Sequence, residues 1–78
     1  MNEIEQQIGR LDALIAADPA DADAIYRRGA LHWKLGHTAA ALTDFNRAAD
    51  LDPAGPAPAA ARTLNQILAF SNPDLYNP

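Results

Sequence analysis

Cysteine is absent from the 78 residues, which excludes disulfides and thiolate chemistry. Basic charge is scarce: six Lys and Arg stand against ten Asp and Glu, and the formal net charge is -4. Only Arg27 and Arg28 adjoin, so no clustered basic face exists of the kind nucleic acid requires. No apolar run approaches the roughly 18 residues of a membrane span. The start, "MNEIEQQIGR", lacks the basic and apolar regions of a secretory signal. These features predict a soluble, cytoplasmic protein with no nucleic-acid or membrane partner.

Residues suited to chemistry are equally few. Ser71 is the sole serine and has no histidine beside it, and no glycine-rich phosphate loop occurs. His32 and His37 are five apart, off the i, i+4 spacing that pairs two ligands on a helix face, and a helix end falls between them. His32 reads as a half-buried packing residue and His37 as a turn residue. Asp21 with Asp23, and Asp50 with Asp52, sit at a helix start and a helix end, where carboxylates cap or face water. The expectation is no enzyme, no metal site and no cofactor.

What the chain has in abundance is alanine, 18 residues of a 49% hydrophobic fraction. Alanine favours helix but gives little burial, so the core should be thin. The pattern predicts four helices and no strands, over about 3–17, 22–35, 38–51 and 57–70. Asn2 caps the first, with Glu5 three residues on, and Ile4, Ile8, Leu11 and Ile15 recur along one face. Leu14 widens that stripe. Asp21 caps the second helix, and Gly36 ends it in a left-handed conformation. Asp18-Pro19 and Asp52-Pro53 stop the first and third helices. Residues 71–78, "SNPDLYNP", form a C-terminal tail whose Leu75 and Tyr76 are two apolar anchors; it either frays or packs into a groove.

Pro19 and Pro53 are 34 residues apart, the period of a helix–turn–helix repeat. From Ala22 to Gly55 the chain resembles the tetratricopeptide repeat (TPR) family, through Ile25, Gly29, Ala41, Phe45, Ala48 and Pro53. Arg28 and His32 depart from the leucine and tyrosine of that pattern. "LNQILAFSNPDLYNP" is also similar to the ends of small stand-alone bacterial tetratricopeptide proteins. In the same frame Leu11 falls at the place of Phe45 and Gln7 at that of Ala41, while Arg62 and Thr63 fall at the places of Arg28 and Gly29. The resemblance implies an all-α fold, with TPR-like antiparallel hairpins in a short right-handed superhelix. The chain divides into half a repeat, a whole repeat and half a repeat, forming a single domain over 1–70. The small residues are architecture, since Gly29 and Ala41 let two helices cross closely.

The resemblance further implies a concave groove for a peptide or protein partner, at Asp23, Tyr26, Ala30, Trp33 and Lys34. Tyr26, Ala30 and Trp33 share a helix face, and exposed aromatics are typical binding anchors. The alternative for Trp33 is ordinary core beneath the fourth helix. That helix either adds Ala60, Leu64, Ile67 and Leu68 to the groove, or docks through them as a cap with Arg62, Asn65 and Gln66 facing solvent. Two repeats' worth of helices leave apolar surface to cover. A second functional reading is therefore a homodimer, completing the solenoid through a self-association face of Ile4, Ile8, Leu11 and Ile15 or by helix exchange.

Overall fold

Asn2 starts the first helix by accepting hydrogen bonds at Oδ1 from the backbone N–H groups of Ile4 (2.8 Å) and Glu5 (3.2 Å). These are two of the donors a helix start leaves without an internal partner. The helix, α1, runs Glu3–Ala17, followed by α2 (Ala22–Lys34), α3 (Thr38–Leu51) and α4 (Ala57–Ser71). In this computed structural model residues 2–71 are described, with side chains as far as Ala69; the tail anchors Leu75 and Tyr76 lie outside the described residues. Among the described residues the protein is all-α, with four helices and no strand.

Asp21 opens α2 by accepting from the Ala24 N–H at 3.0 Å. Its last helical residue is Lys34, one short of the sequence expectation, because Leu35 is the cap and Gly36 turns left-handed at φ +79°. The Gly36 N–H then bonds the Trp33 carbonyl (3.0 Å) and the His37 N–H bonds the His32 carbonyl (2.9 Å), closing a Schellman motif. α4 begins with Pro58 in its first turn, where the missing N–H removes no helical bond.

The 34-residue period is visible in the backbone. Asp18 ends α1 at φ -142°, ψ 89°, and Asp52 ends α3 at φ -140°, ψ 81°. Each N–H bonds the carbonyl four residues back, at 2.9 and 2.8 Å, and each carbonyl accepts from the N–H three residues on, at 3.1 Å. A shift of 34 thus carries α1 and its exit onto α3 and its exit, and α2 onto α4.

α2 and α3 make the most extensive contact, and α1 against α2 the sparsest of the three sequential pairs. At the α2–α3 crossing a Cβ added to Gly29 would lie 3.0 Å from Asp44 Cβ and from the Phe45 ring, so glycine sets how closely these helices approach. The buried core is thin and alanine-rich: Ala41, Phe45, Ala61 and Leu64 form one cluster, and Ile25, Ala48 and Ala57 another. Phe45 and Leu64 are its largest fully enclosed side chains. The described residues have a radius of gyration of 13.4 Å, above the about 11 Å of a compact globule of that length. None of the described helices is long and apolar enough to cross a membrane.

Candidate functional site

The α2 face begins at Phe45, which is buried against Gly29 and braces two rings. Tyr26 lies 5.5 Å from it, tilted by 38°, and Trp33 stands edge-on at 6.3 Å and 83°. Both geometries suit aromatic quadrupoles. Trp33 nonetheless keeps 38% of its surface exposed, so it is neither core nor a free rotor. With Ala30 and Lys34 it lines an open cleft of about 350 Å³. Tyr26 is half-buried and packs against both core clusters.

Two of the groove residues read from the sequence sit elsewhere. Leu64 is 0% exposed, at the centre of the core, and cannot present itself to a partner; α4 docks through Ala57, Ala61 and Leu64. Arg62, Asn65 and Gln66 face solvent, Leu68 is half-buried, and the exposed large residue is Ile67. Asp23 pairs with Arg27 at 2.9 Å on the outer surface, and it borders a small separate recess beside Ala57.

The larger cleft, about 400 Å³, lies between α1 and α2 and takes in Tyr26 and Ala30 of the groove read from the sequence, together with α1 residues that reading did not place in it. Gln7, Arg10 and Leu11 line it from α1, and Tyr26, Arg27, Ala30 and Leu31 from α2. The proposed self-association stripe divides here. Leu11 opens into this cleft, whereas Ile15 packs on the Ile25–Ala48–Ala57 cluster and is engaged within the chain. Ile4 and Ile8 are half-buried. The large apolar residue that α1 exposes is Leu14, at 54%.

Arg28, a departure from the repeat pattern, ties three helices together. Its Nε and Nη2 donate to Asp44 Oδ2 and Oδ1 at 2.9 and 2.8 Å, and its Nη1 donates to Asp12 Oδ1 at 3.0 Å. Asp44 is 5% exposed, so a charged fork holds a buried carboxylate. The bond to Asp44 raises the Arg28 pKa further above its ordinary value, against a smaller lowering by burial, and the guanidinium stays charged. The sequence separation of 16 on either side left no local sign of this network.

The Schellman turn also brings together two histidines that their spacing had set apart. His32 Nδ1 and His37 Nδ1 are 3.3 Å apart, with ring centroids at 5.6 Å. The motif folds the second residue past the helix back over its last turn, where an apolar contact is usual. At that distance one ring nitrogen can donate to the other, the direction depending on the tautomer. Among the described residues no group of three metal-ligating side chains forms. No family pattern, curated protein or solved structure matches this chain.

Proposed function

We propose that the chain is a tetratricopeptide-type module, a short right-handed superhelix that binds a protein or peptide and carries out no catalytic step. The observation that carries this reading is Trp33: an indole held edge-on against buried Phe45, yet 38% exposed beside Ala30 and Lys34. A large aromatic fixed in place before binding loses little rotamer freedom on contact, which is what a binding anchor needs. Tyr26 packs on the same Phe45 ring. The 34-residue recurrence of the helix exits at Asp18 and Asp52 supports the repeat reading.

The test is to pan a random peptide library against the immobilised chain and against its Trp33→Ala variant. Enriched peptides should bind the wild-type chain and weaken by about tenfold or more on Trp33→Ala, with helicity unchanged by circular dichroism. Equal enrichment on both chains would sink the reading.

A further inference from the structure

We propose that the cleft between α1 and α2 is a docking slot for one amphipathic helix of another protein, which presents a carboxylate to Arg10. This goes beyond the Trp33 face, and it follows from the internal repetition of the structure.

Moving the buried cluster back by 34 residues takes Ala41 to Gln7, Phe45 to Leu11, Ala61 to Arg27 and Leu64 to Ala30. All four line the 400 Å³ cleft. In the α3–α4 joint the corresponding space is closed by α2, which inserts Tyr26 and Ala30. The α1–α2 joint therefore has the walls of a helix seat and no helix among the described residues to fill it. The same shift takes Ala48, which is 1% exposed, to Leu14, which is 54% exposed, as expected where no described helix covers it.

Charge selects the occupant. At the α2–α3 crossing Arg28 meets Asp44; in the open joint the place of Asp44 is taken by Arg10, which makes no ion pair among the described residues. An incoming helix must then carry an acid where α2 carries Arg28. Arg27, on the rim, is already paired with Asp23, so Arg10 is the cation the occupant must meet. A second copy is a poor fit. Its α4, seated as α2 is seated on α3, would place Arg62 against Arg10. Like charges brought together at an interface act against the wrong partner.

The probe is a synthetic peptide of residues 21–36 with Arg28→Glu, locked as a helix by an i, i+4 lactam in place of the exposed Asp23–Arg27 pair. Its helicity is checked by circular dichroism. Titrated into the full chain and followed by ¹H–¹⁵N correlation spectra, it should shift the amides of Gln7, Leu11 and Leu31 saturably. The peptide that keeps Arg28 should bind about tenfold more weakly, and Arg10→Glu in the chain should invert that order. Trp33→Ala should leave both affinities unchanged, so this slot and the Trp33 face fail separately. Absence of saturable shifts with a helical peptide, or equal binding of the two peptides, would overturn the proposal. So would a peptide-free chain that light scattering shows to be a dimer and that Arg10→Glu alters, since a second copy would then be the occupant.

Discussion

The α1–α2 and α3–α4 joints have matching helix exits, yet one is closed and the other open. Asp18 and Asp52 adopt dihedral angles within a few degrees of each other, so the local chain path is not what differs. The difference lies in what stands on the helices. Ala41, Asp44 and Phe45 receive α2 closely, whereas Gln7, Arg10 and Leu11 at the equivalent places line a cleft. A repeated backbone is thus compatible with two fates: α2 covers one joint, and no described helix covers the other.

The largest expected effect breaks the closed side. Arg28→Ala leaves the Asp44 carboxylate buried without its fork, and should cost about 3–5 kcal/mol in urea unfolding, much of the stability of a domain this small. Replacing both partners with apolar residues, Arg28→Met with Asp44→Leu, should recover most of that loss. Next, Leu64→Ala should cost about 2–5 kcal/mol, because Leu64 is fully enclosed. Leu11→Ala, in the open joint, should cost under about 1 kcal/mol. Similar losses for the two would show that the open joint is closed in solution.

Gly29→Ala should destabilise by about 1–3 kcal/mol despite its better helix propensity, since its Cβ meets Asp44 and Phe45 at 3.0 Å. Thr63→Ala, at the equivalent place on α4, is exposed and should be neutral or slightly stabilising. A modest effect is expected at the turn. Gly36→Ala puts a side chain at φ +79° and should cost about 1 kcal/mol. It should also separate the two imidazoles, read as a loss of NOE contacts between the His32 and His37 rings.

Local signals were legible for local reasons. Caps at Asn2 and Asp21 act within three residues, and the left-handed Gly36 needs only its own missing Cβ. The Gly29–Ala41 crossing was readable because small residues at helical spacing have few other uses. Leu64 was left between a groove and a docking face, because a stripe of alanines and leucines on α4 is apolar on a broad arc and the sequence does not say which edge meets α3; its burial fits the docking alternative. The Arg28 network and the α1 wall of the α1–α2 cleft were missed because both depend on residues from different helices. The one hint was Gln7 at the place of Ala41, a residue too large for a tight crossing.

The order and limits of four helices, their ends, and the 34-residue recurrence follow from the sequence alone, since each rests on interactions spanning a turn or a loop. Tertiary structure decided which apolar residues are enclosed, which carboxylate is buried and which joint stays open. Those outcomes depend on how helices cross, and a difference of a few ångströms in approach turns the same side chain from core into surface.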